Sequence, residues 1–139
     1  MVTSIRARPV EVTSPRRAWL AVFAALNAVS AYAGGVGLAT GLLEFEDASL
    51  TRRLPFDSPV FGGFALMCVV AVPFTVVAAG AWRGDVDAGR TATAAGALLI
   101  AWILVELVFL RELSWFHPTY TIIGGAFVIV GRRPGRSRP

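Results

Sequence analysis

The chain lacks lysine altogether, and it has one cysteine and one histidine. Because a disulfide needs two cysteines, no intrachain disulfide can form, and the absence of a CxxC pair argues against a thiol oxidoreductase. His117 has no cysteine or second histidine to join it, so no metal site is expected. No Ser-His-Asp arrangement, P-loop or dinucleotide fingerprint occurs, and we therefore expect no cofactor.

Apolar residues dominate the composition. They make up 55% of the 139 residues, charged residues make up 16%, and the mean hydropathy is +0.64. A soluble domain averages about 45–50% apolar and about 25% charged residues. The charges gather in short stretches between long apolar runs, which is the layout of a multi-pass membrane protein.

Four apolar runs are long enough to cross a bilayer as helices, which takes roughly 17–25 residues each. We predict an all-α integral membrane protein, a bundle of four transmembrane helices, with spans at 18–43, 59–82, 91–110 and 113–131. The last run is the weakest, since it must place Trp115 and His117 in the interface, and three spans plus a peripheral segment is the alternative. Residues 1–15 are expected to be a disordered cytoplasmic arm, 16–131 the membrane domain, and 132–139 a basic cytoplasmic tail.

Arginine sets the expected orientation. Ten arginines lie in the N-terminal segment, the connection between spans two and three, and the C-terminal tail, whereas three lie on the other side. The positive-inside rule then places both termini in the cytoplasm, and the protein in a bacterial plasma (inner) membrane. The net charge of +4 follows from this topology, so we expect the lipid bilayer as partner and no nucleic acid.

The first two spans carry local signals for helix packing and shape. On span one, small and polar residues recur every three or four positions, a pattern that lets helices approach closely. This stripe predicts packing within the chain, or contact with a membrane protein partner or a second copy through Gly34, Gly37 and Gly41. Span two should begin with a Ser58 (or Asp57) cap followed by Pro59, and Pro73 should kink it near Val69–Pro73.

The candidate site centres on Glu106, a carboxylate in the third apolar run. Trp102 precedes it by one helical turn, and the predicted topology places it close to the outer surface, where the nearby loops supply further charges. We consider three interpretations. The first is a structural tie, in which Glu106 pairs with Arg52, Arg53 or Arg111, or bonds Tyr32 or Asn27. The second is a binding or transport site for a cation or a lipid headgroup, and the third is a proton donor or base acting on a lipid. The candidate binding residues are Glu106, Trp102, Arg111, Glu112, His117, Arg52, Arg53 and Asn27, and no residue is assigned as catalytic.

The lysine-free composition, rich in arginine, alanine, glycine and valine, and the four-span layout resemble small membrane proteins of high-GC bacteria that have no assigned activity. The resemblance covers the whole chain and implies the fold class alone. Small multidrug exporters also have four short helices, but their working glutamate lies in the first span, whereas Glu106 lies in the third. The sequence therefore favours a non-enzymatic role, as an accessory or a lipid- or small-ligand-binding protein. A small proton-coupled transporter using Glu106 is the first alternative, and a lipid-modifying enzyme is the second.

Overall fold

The computed structural model describes residues 14–43 and 52–133, which are 84% helical and contain no strand. The predicted all-α class is thus confirmed for the described part of the chain. Its long helices are α1 (Pro15–Thr40), α2 (Pro59–Arg83), α3 (Ala88–Leu110) and α4 (Phe116–Arg132). The first three are long and apolar enough to cross a membrane, whereas α4 has 17 residues and is shorter. The predicted disordered arm, most of the C-terminal tail, and the acidic residues at 44–47 lie outside the described residues.

The helix ends follow local sequence signals. The Ser58 hydroxyl accepts a hydrogen bond from the Phe61 N–H (3.2 Å), and Pro59 fills the first helical position, so the predicted cap of α2 is present. Helices α1 and α2 both stop at a glycine in the left-handed conformation, Gly41 (φ 74°) and Gly84 (φ 76°). A residue with a side chain is strained there, which explains why glycine ends these helices.

Helix α2 changes its winding just before Pro73. Met67–Ala71 forms a π-helical turn, in the region where the sequence predicted a kink. Proline has no N–H to donate to the carbonyl four residues earlier, and the extra residue of a π turn accommodates the missing bond. The Thr75 hydroxyl donates to the Ala71 carbonyl (2.8 Å), which supplies a further hydrogen bond to this segment.

Glycines bring the helices together in two antiparallel pairs. In the α1–α2 pair, a side chain at Gly63 would collide with the Gly35 carbonyl. In the α3–α4 pair, a Cβ at Gly96 would lie 2.5 Å from the Gly124 carbonyl. These contacts need residues without side chains, since backbones at this separation leave no room for a Cβ. The tight contacts therefore tie α1 to α2 and α3 to α4.

The two pairs join along α2 and α3 around a small core. The rings of Phe74 and Phe127 meet edge to face with centroids 4.8 Å apart, and alanines fill most of the remaining core. Large apolar side chains instead cover the outside of each helix, for example Val29 (65% exposed), Phe64 (62%), Val108 (68%) and Ile122 (72%). Such a surface suits contact with lipid, because an aqueous protein rarely exposes so continuous an apolar area.

The glycine contacts can be tested by adding a single methyl group. Gly96→Ala should lower the free energy of unfolding by about 1–3 kcal/mol, because overpacking forces the backbones apart. Gly125→Ala is the matched control, since a Cβ there meets nothing within 4 Å. Unfolding of both variants in mixed micelles, followed by circular dichroism, measures the effect. Equal stability of the two variants would contradict the close α3–α4 contact.

Candidate functional site

Glu106 lies on the face of α3 that turns toward the other helices, near the end of the bundle that carries the α1–α2 and α3–α4 connections. We call this the loop end and the opposite one the terminal end. Trp102 lies one turn earlier on the same face, and both side chains are half-buried. The face exists because residues four apart on a helix project in the same direction.

A cavity of about 170 Å³ lies beside this face, and all four helices contribute to its wall. We call it the polar cavity because hydrogen-bonding side chains from three helices meet there. Helix α1 brings the amide and hydroxyl of its small-residue stripe, α3 brings Glu106 and Trp102, and α4 brings a phenol. The polar lining residues are Asn27, Ser30, Trp102, Glu106 and Tyr120.

A second cavity of about 480 Å³ lies toward the loop end, and we call it the apolar pocket. Aliphatic and aromatic side chains of the first three helices and of the α1–α2 connection make up most of its wall. The two cavities share four lining residues, so the Glu106 side chain borders both. The shared residues are Gly34, Trp102, Glu106 and Phe116.

The predicted ion pair of Glu106 is absent from the described residues. Arg53 instead donates to the Leu110 carbonyl (2.6 Å) and lies 4.0 Å from Glu112, so it caps the end of α3. Arg111 is the left-handed residue that ends α3, and its exposed side chain makes no ion pair with Glu106. Neither arginine is therefore an ion-pair partner of Glu106 in the described part of the chain, and a structural role for this carboxylate stays a prediction.

The other groups predicted to bond Glu106 are also occupied elsewhere. The Asn27 amide donates to the Phe23 carbonyl one turn earlier on α1 (2.8 Å). The Tyr32 hydroxyl lies 3.3 Å from the Thr75 hydroxyl, within hydrogen-bond distance. Arg52 is exposed and has no ion pair with Glu106 in the described part of the chain. The site therefore holds a carboxylate with no ion pair among the described residues.

Two ring N–H groups beside the site are also unsatisfied within the described residues. The Trp102 indole lies next to the Glu106 carboxylate, yet its buried Nε1 lacks hydrogen-bond geometry to any acceptor. His117 is 2% exposed, and its Nδ1 accepts the Ser114 N–H (3.0 Å). Nδ1 also lies 3.3 Å from the Ser114 carbonyl. Where Nδ1 accepts the shorter bond, Nε2 carries the ring proton, and Nε2 is buried without a partner. Such groups are uncommon in protein interiors and mark a place that a ligand or water can complete.

The structure thus places three of the predicted site residues in the wall of the polar cavity and a fourth close to them, and it separates the other four. Asn27, Trp102 and Glu106 line the polar cavity, and the buried His117 lies close to them on α4. The charged residues of the loops are absent from both cavity walls: Arg52, Arg53, Arg111 and Glu112. The sequence analysis missed Phe116 and Tyr120, although their spacing of four residues places two aromatic rings on one face of α4.

Comparisons with known proteins give no assignment. No family model, no curated protein and no solved structure is significantly similar to this chain. The functional argument therefore rests on the geometry of the site.

Arg52 and Arg53 offer a test of how the loop end is held together. Arg53→Gln should lower the free energy of unfolding by about 1 kcal/mol, because a charge-assisted bond to the last carbonyls of α3 is lost. Arg52→Gln removes the same charge one position earlier and should have little effect. Thermal unfolding of the two variants at equal ionic strength compares them. Equal losses would mean that loop charge, and no specific bond, stabilises this end.

Proposed function

We propose that this chain is a small four-span protein of the bacterial plasma membrane that binds an amphipathic ligand beside Glu106. One observation carries the proposal: Glu106 stands in the wall shared by a polar cavity and a larger apolar pocket. An amphipathic molecule has a polar end and an apolar body, and the two adjoining spaces offer an environment for each. The apolar pocket is within the size range of ligand sites, roughly 300–1,000 Å³.

The exposure of the pocket wall supports entry from the lipid. Phe61, Val105 and Phe109 line the apolar pocket and are 45%, 45% and 42% exposed on the outside of the helices. In a bilayer, the molecules that meet this surface are lipids and other dissolved amphiphiles. A ligand would therefore slide in sideways, with its apolar body remaining in apolar surroundings throughout.

The four-span topology with both termini in the cytoplasm is part of the same proposal. Of the described arginines, six lie toward the terminal end and three lie toward the loop end. Helix α4 extends roughly 26 Å at 1.5 Å per residue, against a hydrocarbon core of about 30 Å. Trp115 before it and Arg132 at its end can cover the difference from the two interfaces, since tryptophan and arginine favour those positions.

The geometry favours binding over the other two hypotheses. A transporter needs access to Glu106 from both sides, but Phe74, Val77 and Phe127 fill the bundle on the terminal side of the cavities. An enzyme needs a reactive partner for the carboxylate inside the cavity, whereas Asn27, Ser30 and Tyr120 are ordinary hydrogen-bonding groups there. The buried His117 lies close by but lines neither cavity. A non-catalytic ligand-binding role needs no further group.

The accessory role finds less support in the packing of α1. Docking of a partner on the small-residue stripe needs an open surface, but Gly37 is buried beneath Leu43 and Gly41 forms the end of the helix. Gly34 faces the two cavities. Contact with a membrane protein partner or a second copy through these glycines stays a prediction, and ligand binding is the function that the geometry supports best.

The topology can be tested by cysteine labelling. Cys68→Ser first removes the native cysteine, and one new cysteine is then introduced at a time. Val86→Cys lies between α2 and α3 (94% exposed) and Leu113→Cys lies between α3 and α4 (80% exposed), so their exposures match. In intact spheroplasts, a membrane-impermeant maleimide should label the second and spare the first. After the membrane is opened, both should react. Labelling of Val86→Cys in intact cells would overturn the proposed orientation.

Gly34 allows the ligand site to be blocked without altering its chemistry. Gly34→Leu should abolish saturable binding of a fluorescent alkyl maltoside, because the new side chain extends from the wall shared by both cavities. A Cβ at this position fits, since the nearest atom, on Leu66, is 3.5 Å away. Gly125→Leu, in open space on α4, is the control and should bind as the wild type does.

This measurement should use the full chain in micelles of a neutral steroid-based detergent, which has no alkyl chain to compete with the probe. Fluorescence anisotropy reports binding, and competition with unlabelled alkyl maltoside shows whether it is saturable. If Gly34→Leu and Gly125→Leu bind the probe equally, the two cavities are not the site. If the wild type shows no saturable binding, the proposed function is wrong.

A further inference from the structure

In the described ranges, the walls of the two cavities carry negative charge and no positive charge. Glu106 is the only charged side chain among the described residues that line either cavity. It has no ion pair in the described part of the chain, where the ion pairs are Arg53 with Glu112 and Arg90 with Asp87. A carboxylate inside a membrane protein is costly unless a partner compensates it. No ion pair among the described residues compensates it, and a ligand can supply the missing positive charge or proton.

Aromatic residues line the two cavities beside this carboxylate. Trp102 and Phe116 border both cavities, and Tyr120 adds a third ring to the polar cavity. The face of such a ring attracts a cation within about 6 Å of its centroid, most strongly for tryptophan. A carboxylate beside aromatic rings suits an alkylated ammonium group, because its methyl groups can contact the rings while its charge is balanced by the carboxylate.

We propose that the ligand is a cationic amphiphile, with an amine or quaternary ammonium head in the polar cavity and an apolar chain in the apolar pocket. The inference rests on the proposed function and adds the chemistry of the ligand's head. The head would lie against Glu106 and the rings of Trp102 and Tyr120. The polar cavity, about 170 Å³, holds a compact head, and the chain continues past the shared wall into the larger pocket.

A ligand with an anionic head would be disfavoured in the polar cavity. Arg53 is the nearby arginine with a defined contact. It donates to the Leu110 carbonyl and is itself in the wall of neither cavity. A phosphate or carboxylate placed in the polar cavity would face Glu106 without a compensating base from the described residues. The wall therefore discriminates by repulsion of anions as well as by attraction of cations.

The test compares three ligands that share a ten-carbon chain and differ in the head. Decyltrimethylammonium, decyl maltoside and decyl sulfonate each compete with the fluorescent alkyl maltoside for the full-length protein in the same neutral detergent. On the wild type, decyltrimethylammonium should displace the probe at a concentration about tenfold lower than decyl maltoside, a difference typical of one close ion pair. Decyl sulfonate should be the weakest competitor.

The matched variants are Glu106→Gln and Glu112→Gln. Glu106→Gln should still bind the probe but lose the preference for the ammonium head, so that the ratio falls to about one. Glu112→Gln removes an exposed carboxylate outside the cavities, at 4.0 Å from Arg53, and should keep the preference. Because micelle partitioning of each ligand is the same for every variant, the change in ratio reports the protein alone.

The outcomes separate the two proposals. Saturable probe binding with no head preference on the wild type, or with an equal preference on Glu106→Gln, overturns the cationic ligand and leaves the proposed function intact. If decyl sulfonate is the strongest competitor, the cationic ligand is likewise overturned and the proposed function stands. Absence of saturable probe binding on the wild type overturns the proposed function and the cationic ligand together. If Glu106→Gln fails to fold, the comparison of heads on the wild type still decides.

Discussion

Contacts between glycine backbones are the constraint on which the rest of the structure depends. Because Gly35 meets Gly63 and Gly96 meets Gly124 without side chains between them, the helices form two tight pairs. Phe74 and Phe127 then fill the middle of the bundle, where the pairs meet. Toward the loop end the two cavities lie between the helices. Close packing within each pair thus leaves room between the pairs.

The position of Glu106 follows from the same geometry. A carboxylate at the centre of a spanning helix costs about 2.5–3.5 kcal/mol, and the cost falls toward the interface. Glu106 lies four residues before the end of α3, on the face that borders the cavities. It therefore avoids both the lipid and the tight α3–α4 contact. Arg53 and Arg111 lie at the end of α3 and make no ion pair with Glu106, which leaves this carboxylate accessible to a molecule that enters the cavities.

Much of the fold could be predicted from the sequence because it depends on local signals. The apolar runs located the helices, Ser58 and Pro59 located the start of α2, and Pro73 located its irregular turn. The partners of the loop arginines could not be predicted, since Arg52 and Arg53 are neighbours with the same chemistry. Only the tertiary structure brings the Leu110 carbonyl within reach of one of them.

The place of Tyr120 in the site and the role of Gly34 could not be predicted from the sequence, for a related reason. The stripe on α1 was recognised as one face, but its spacing does not say whether the face meets a helix, a partner or an empty space. Gly35, the next residue along, makes the backbone contact with α2, and Gly34 is turned by about 100° toward the cavities. One glycine therefore closes the α1–α2 pair while its neighbour keeps the site open. A ligand held between Gly34 on α1 and Glu106 on α3 would bridge the two pairs, and so stabilise the seam where the protein itself packs least.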